Sequence, residues 1–93
     1  MPFVLELLRS LKQAGWKVKI HDSERLEPPH ITIYQKMKKW RLSLRHGNFL
    51  DTGARWTQID SEVKTQIESN WKILIAKWDL IHPDNPVEGD DDE

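Results

Sequence analysis

Cysteine is absent from this chain of 93 residues, and its absence excludes disulfide bonds, thiolate nucleophiles and thiolate metal ligands. Long apolar runs are also missing, since no stretch approaches the roughly 18 apolar residues of a membrane span. Residues 1–10 lack the basic start and continuous apolar segment of a signal peptide. We therefore expect a cytoplasmic protein with no membrane association.

Motifs for cofactors and metals are missing as well. No glycine-rich loop follows a strand pattern, and no serine lies in a nucleophile-elbow motif, which disfavours nucleotide-dependent enzymes and triad hydrolases. The four histidines form no H-x-H or H-x-x-x-H pair. The sequence therefore predicts neither a metal site nor a bound cofactor.

Tryptophan, by contrast, is abundant. A single indole ring can bury roughly 150–250 Å², and the five rings are distributed along the chain. A chain of this length folds as one small domain, so we expect these rings to form much of its hydrophobic core. They are Trp16, Trp40, Trp56, Trp71 and Trp78.

The net charge of -1 hides an uneven distribution of charged residues. Residues 84–93 hold six of the 15 acidic residues and none of the 14 basic ones, so residues 1–83 carry a net charge of +5. We predict a single domain over residues 1–83 and an acidic, flexible tail over residues 84–93. The tail either stays solvated or folds back over the basic groups as a competitor for polyanions.

Strict alternation of apolar and polar residues predicts three β-strands. They cover residues 16–20, 30–34 and 40–45. Two prolines, Pro28 and Pro29, precede the second strand and exclude a helix there. Residues 35–39 join the second and third strands without an Asn-Gly or Asp-Gly pair, so we expect a hairpin loop longer than two residues.

Apolar residues at helical spacing predict two amphipathic helices around these strands. The first spans residues 2–14 and stops at Gly15. The second begins at Asp60 or Ser61 and continues through Trp78. The expected fold is α+β in the order αβββα, with a three-stranded antiparallel sheet and both helices on its apolar face.

The opposite face of this sheet collects basic and hydroxyl side chains, a combination that suits phosphate groups. The hairpin loop adds three lysines to it. Nucleic acid is therefore a predicted partner, and the alternative is an ordinary solvated strand face. The candidate phosphate- or nucleic-acid-binding residues are Lys17, Lys19, Thr32, Tyr34, Lys36, Lys38, Lys39, Arg41 and Arg45.

His30 lies at the start of the second strand, among these cations. A metal-independent endoribonuclease needs a base for the 2′-hydroxyl, a cation for the developing phosphate charge and an acid for the leaving oxygen. His30 is the candidate catalytic base or acid, Arg41 or Arg45 the cation. Tyr34 or Lys19 would assist. The alternative is a structural histidine at a strand start.

Three parts of the sequence together resemble a small bacterial family of unknown function. They are Gly15-Trp16-Lys17-Val18, Glu27-Pro28-Pro29-His30-Ile31-Thr32-Ile33 and Asn70-Trp71. The hallmark of that family is a strand with the sequence Pro-Pro-His-x-His-Val. This chain has the first histidine at His30 and carries Thr32 at the second position, which argues against roles that need both imidazoles. The resemblance implies no established chemistry, but it suggests a toxin/antitoxin setting.

A second resemblance concerns the order of elements. Residues 5–16 resemble the opening of HicA-type mRNA interferase toxins, whose helix, Gly-aromatic step and three-stranded sheet are like those of a double-stranded-RNA-binding domain. A strand histidine takes part in RNA cleavage in those toxins. Their Gly-Ser-His step is replaced here by Glu27-Pro28-Pro29-His30. The resemblance therefore implies the fold more than the activity.

Three classes of function remain. The first is a small bacterial protein of toxin/antitoxin type that acts on RNA through the basic sheet face. The second is a non-catalytic interaction module that binds a cognate protein or a second copy through a sheet edge, or through the segment with Phe49 and Trp56. The third is a small-molecule pocket, with His46, Asp51 and Arg55 as polar contacts.

Overall fold

Segments in which apolar and polar residues alternate form most of the sheet, close to the positions that the alternation predicts. Within residues 2–22 and 27–88, which the computed structural model describes, the chain forms an α+β fold of four strands and three α-helices. The strands are β1 (Phe3–Val4), β2 (Trp16–Ile20), β3 (His30–Gln35) and β4 (Lys38–Ser43). The helices are α1 (Arg9–Gln13), α2 (Ser61–Ser69) and α3 (Trp71–Ile81), with a 3-10 turn at Trp56–Gln58 before α2.

The strands lie side by side in sequence order, and each neighbouring pair is antiparallel. In the register of the central strand, Ile33 pairs with Val18 of β2 and with Trp40 of β4. Residues two positions apart share a face, so these apolar side chains form one side of the sheet. Tyr34 pairs with Lys17 and Lys39 on the other side. The alternation predicts this face for Tyr34 and Lys17, whereas Lys39 lies in β4 and not in the predicted loop.

The prediction of three strands is wrong, because a fourth strand lies inside the stretch expected to form the first helix. Phe3 and Val4 pair with Ile20 and Lys19 of β2. The backbone stays extended beyond this strand, and the amide of Leu5 donates to the carbonyl of Val18 at 2.9 Å. Pairing with β2 satisfies these backbone groups, which leaves only the short α1 of the predicted helix over residues 2–14.

The second predicted helix is two helices that meet at Asn70. Asp60 caps the first of them, since its Oδ1 accepts a hydrogen bond from the amide of Glu62 at 2.8 Å. At the junction the Asn70 side chain donates to the carbonyl of Gln66 at 2.7 Å. A side chain that bonds the backbone four residues earlier competes with helix propagation, and the backbone departs from helical geometry here.

One core joins the apolar face of the sheet to all three helices. The helix residues that enter it are Leu11, Val63, Ile67, Leu74 and Trp78. Trp40 and Trp78 are buried, whereas the other three tryptophans are partly buried and pack against the rim of the core. None of the helices in residues 2–22 and 27–88 is long and apolar enough to cross a membrane.

The hairpin between β3 and β4 is tighter than expected. Gln35 pairs directly with Lys38, so the loop has two residues, Lys36 and Met37, and the prediction of a longer loop is wrong. Lys36 adopts a φ of 58°, the left-handed conformation that tight hairpins need at the first loop position. Its amide donates to the carbonyl of Gly15 at 3.3 Å. Gly15 itself has a φ of 95°, which L side chains rarely adopt, and a Cβ atom there would lie 2.9 Å from Lys36 Cγ, so this position favours glycine.

The start of the predicted acidic tail packs against the domain. Val87 is buried, and its amide donates to Asp79 Oδ1 at 2.8 Å. The indole Nε1 of Trp78 donates to the carbonyl of Asn85 at 2.7 Å. The predicted tail therefore begins with a segment that packs on the domain, residues 84–88, which we call the strap. The rest of the predicted tail, residues 89–93, lies outside the described residues.

Replacement of Val87 by aspartate should lower the free energy of unfolding by about 2 kcal/mol or more, because it buries a carboxylate without a partner. Chemical denaturation monitored by tryptophan fluorescence measures the loss. Glu88→Ala is the matched control, since Glu88 is exposed. Equal stability of the two variants would show that the strap does not contribute to the fold.

Candidate functional site

The polar face of the sheet divides into two regions of different chemistry. One region, the lysine patch, consists of exposed or half-buried residues around the β3–β4 hairpin. Its members are Lys17, Lys19, Tyr34, Lys36 and Lys39. The other region lies toward the start of β3 and holds Arg41, whose charge is paired within the protein. The sequence predicts a single basic face, and the structure retains about half of it as a cationic surface.

Arg41 makes a bidentate ion pair with Asp51. Its Nε and Nη2 donate to Asp51 Oδ1 at 3.0 and 2.7 Å, and its backbone amide donates to Oδ2 at 2.9 Å. The remaining Nη1 donates to Glu27 Oε1 at 2.9 Å. Hydrogen bonds from the guanidinium lower the pKa of Asp51 and raise the pKa of Arg41. Two carboxylates therefore already bind the guanidinium of Arg41, which the sequence predicts to bind phosphate.

Asp51 reaches Arg41 because its segment runs beside β4. The amide of Leu50 donates to the carbonyl of Arg41 at 2.9 Å, and Leu42 forms a bridge with Phe49. The sequence marks this region only as a break in periodicity with turn residues. Sequence reasoning placed Asp51 as a small-molecule contact, and nothing local in the chain identifies it as the partner of a strand arginine ten positions earlier.

Arg45 also serves the fold. Its Nε donates to the carbonyl of Val87 at 2.7 Å, and its Nη2 donates to the carbonyl of Pro86 at 3.0 Å. These bonds tie the strap to the end of β4. Two of its three guanidinium nitrogens are thus bonded to the strap, and Arg45 does not line the depression of the lysine patch.

His30 is buried, which argues against its predicted role as a catalytic base or acid. Its side chain is 1% exposed, and Nδ1 donates to the carbonyl of Pro28 at 2.8 Å. Nε2 lies 3.7 Å from Glu27 Oε1, and the ring packs against Trp78 with centroids 5.6 Å apart. A 2′-hydroxyl cannot reach this imidazole. Thr32 is likewise 4% exposed and offers no surface for a ligand.

The lysine patch surrounds a shallow depression of about 380 Å³. The residues that line it are Gly15, Lys17, Lys19, Tyr34 and Lys36. Lys17 and Lys39 flank Tyr34 across the sheet, one on each neighbouring strand. Among the described residues, no acidic side chain lines the depression. Lys38 is exposed but follows the opposite alternation from Lys39, and so lies on the other face.

His21 adds a titratable group at the border of the patch. Its Nε2 lies 2.7 Å from the hydroxyl of Tyr34, and the two rings meet edge to face. His82 Nε2 donates to the backbone carbonyl of His21 at 2.7 Å, while the His82 ring stacks on Trp78. Sequence reasoning missed His21, because its partner lies 13 residues away. The signal available in the sequence is that His21 directly follows β2, the strand that pairs with β3.

Within residues 2–22 and 27–88, no group of three or more potential ligands could hold a metal ion. No protein-family model matches this chain, and neither a curated protein nor a solved structure is significantly similar to it. The resemblances to the Pro-Pro-His family and to HicA-type toxins therefore stay predictions.

Replacement of Asp51 by asparagine should lower the free energy of unfolding at pH 7 by on the order of 1 kcal/mol, because the pair is partly solvated and screened. The folded-state pKa of Asp51 lies below its usual value of 3.8. Its stabilising effect is therefore present above pH 3.8 and is lost as the pH falls through the folded-state pKa.

Denaturation curves from pH 7 down to the acid range measure this difference. The wild-type protein and Asp51→Asn should converge in stability at the acid end. Glu68→Gln, on the exposed side of α2, is the control and should leave stability unchanged across the range. A constant gap between wild type and Asp51→Asn at all pH values would contradict the electrostatic role.

Proposed function

We propose that this domain binds RNA through the lysine patch. The observation that carries the proposal is the depression around Tyr34, which is lined by three lysines and, among the described residues, by no acid. Lysine ammonium groups bind phosphates as point charges, and an aromatic ring beside them provides a surface on which a base can stack. Both kinds of group occur here on one face.

The geometry favours a single-stranded segment over a rigid duplex. Lys17, Tyr34 and Lys39 lie in one row across three strands, and neighbouring strands are spaced about 4.8 Å apart. A base on the central tyrosine therefore leaves the adjoining phosphates within reach of the flanking lysines. Bases of single strands are available for such stacking, whereas those of a duplex are not.

Because His30 is buried, the proposal assigns no catalytic role to that histidine. A bacterial cytoplasmic setting in a toxin/antitoxin system, as the sequence resemblances imply, remains part of the proposal. RNA is the partner that the lysine patch favours, and a cognate protein would be its counterpart in such a system.

A second candidate function, protein interaction without nucleic acid, has its own observation. Ile73 and Leu80 are 48% and 74% exposed on α3, and their spacing of seven places them on one side of the helix. Val4 is 51% exposed on the short edge strand β1. An apolar interface at these positions would be insensitive to salt, which distinguishes it from RNA binding.

Charge reversal at Lys39 should weaken RNA binding by about tenfold or more, whereas reversal at Lys38 should change it little. The two lysines are neighbours in sequence and equal in charge, but they lie on opposite faces of the hairpin. Fluorescence anisotropy with a labelled single-stranded oligoribonucleotide, at low and physiological salt, measures both variants. Equal loss in Lys38→Glu and Lys39→Glu would reduce the effect to net charge and overturn the assignment of the face.

Replacement of Lys36 by glycine should stabilise the fold while it weakens RNA binding. The left-handed φ costs a lysine roughly 1–2 kcal/mol, and glycine would avoid this strain. The greater conformational entropy of glycine in the unfolded chain offsets part of that gain, so we expect a net gain of about 0.5–1 kcal/mol. Met37→Gly is the control, because Met37 has no positive φ and should lose stability. Denaturation and anisotropy on the same samples measure both effects, and a destabilised Lys36→Gly would contradict the described hairpin.

A further inference from the structure

The contact between His21 and Tyr34 has features of a proton relay. The 2.7 Å between His21 Nε2 and the tyrosine hydroxyl is a short hydrogen bond, and Tyr34 lines the depression of the lysine patch. Tyr34 thus faces the proposed RNA site, and the imidazole of His21, which can accept a proton, lies next to the tyrosine hydroxyl.

The relay is held in place from the side of the core. His82 donates to the backbone carbonyl of His21, and the His82 ring is buried and stacked on Trp78 with centroids 4.0 Å apart. Tyr34 is fixed by its pairing with Lys17 and Lys39. A preorganised pair of this kind needs little rearrangement when a substrate binds.

The other histidines lack such a position. His30 and His82 are buried, and His46 lies on the exposed turn that follows β4. Lys17, Lys19 and Lys36 surround the same depression as Tyr34 and would face a phosphate bound there. An acid–base group beside converging cations is the minimal requirement for phosphodiester transfer without a metal.

We propose that His21 and Tyr34 form the proton relay of a ribonuclease whose phosphate clamp is the lysine patch, an inference that rests on the proposed RNA binding. The 2′-hydroxyl of the bound nucleotide transfers its proton to the Tyr34 oxygen as Tyr34 transfers its own proton to His21 Nε2. The 2′-oxygen then bonds to the adjacent phosphorus, and the bond from phosphorus to the 5′-oxygen breaks.

The leaving 5′-oxygen takes a proton from the ammonium group of one of the patch lysines, and the other lysines stabilise the charge on the phosphate oxygens. The products are a 2′,3′-cyclic phosphate and a 5′-hydroxyl end. Transfer of the proton from His21 back to the neutral lysine through solvent water restores the starting state. The step requires no oxidant, reductant or added nucleophile.

The test uses the full chain and a labelled single-stranded oligoribonucleotide in the presence of EDTA, with binding and cleavage measured on the same samples. We expect fragments that end in a 2′,3′-cyclic phosphate, and we expect a 2′-deoxy nucleotide to block cleavage at its own position. Tyr34→Phe and His21→Asn should each reduce the cleavage rate by about 100-fold or more while they alter RNA affinity by less than about threefold. His46→Asn is the matched control and should cleave at the wild-type rate.

Three results would overturn the relay. Binding without cleavage by the wild-type protein would leave an RNA-binding domain and remove the enzyme. Cleavage at equal rates in wild type, Tyr34→Phe and His21→Asn would assign it to other groups, and absence of binding would remove the proposed function together with the relay. If His21→Asn unfolds, Tyr34→Phe carries the test, because it removes only one hydroxyl. Added imidazole should partly rescue cleavage by His21→Gly.

Discussion

The ion pair between Arg41 and Asp51 determines which part of the polar sheet face is available to a ligand. Both carboxylate oxygens of Asp51 are engaged by groups of Arg41, and Glu27 binds the same guanidinium from another direction. An incoming anion would have to replace two carboxylates already in place, and the desolvation needed for that exchange opposes it. The lysines around the hairpin have no such partners among the described residues, so ligand binding is directed to that end of the sheet.

Trp78 connects the two sides of the molecule. Its ring is buried between the imidazoles of His30 and His82, and its Nε1 bonds the backbone at Asn85. The strap, the start of β3 and His82, which bonds the backbone carbonyl of His21, thus share one indole ring. Because packed interiors transmit strain, a substitution of Trp78 would disturb all three points at once.

Period-two alternation predicts β2, β3 and β4 and the face of each residue, because side-chain direction in a strand depends only on local geometry. It also places Lys17, Lys19 and Tyr34 on one surface, whereas it leaves Lys39 in the predicted loop. The same reasoning cannot detect β1, since Val4, Leu8 and Leu11 fit a helix as well as they fit the extended backbone that pairs with β2. Pairing across the sheet decides between these conformations, and the local sequence does not contain that information.

The alternation predicts which face of the sheet a site residue lies on, but it does not predict whether that residue is exposed or engaged by another group. Arg41, Arg45 and His30 have the correct alternation for an exposed polar surface, yet each is engaged by a group distant in sequence. Their partners are Asp51, the carbonyl of Val87 and the ring of Trp78. The sequence does not identify His21 for the same reason, because only the folded chain brings it to Tyr34. Sequence patterns report on neighbours along the chain, whereas neutralisation and burial are decided by contacts in space.

The strap has a consequence for the order in which the chain acquires its structure. Trp78 Nε1, Arg45 and Asp79 all find their partners among residues 85–87. Until that segment is available, a buried indole N–H and a guanidinium lack their acceptors, which penalises the closed core. Because synthesis proceeds from the amino end, residues 85–87 are made after every strand and helix whose groups they satisfy. The closed core thus depends on a segment that lies outside all of its helices and strands, and loss of that segment would leave the indole N–H of Trp78 without its acceptor.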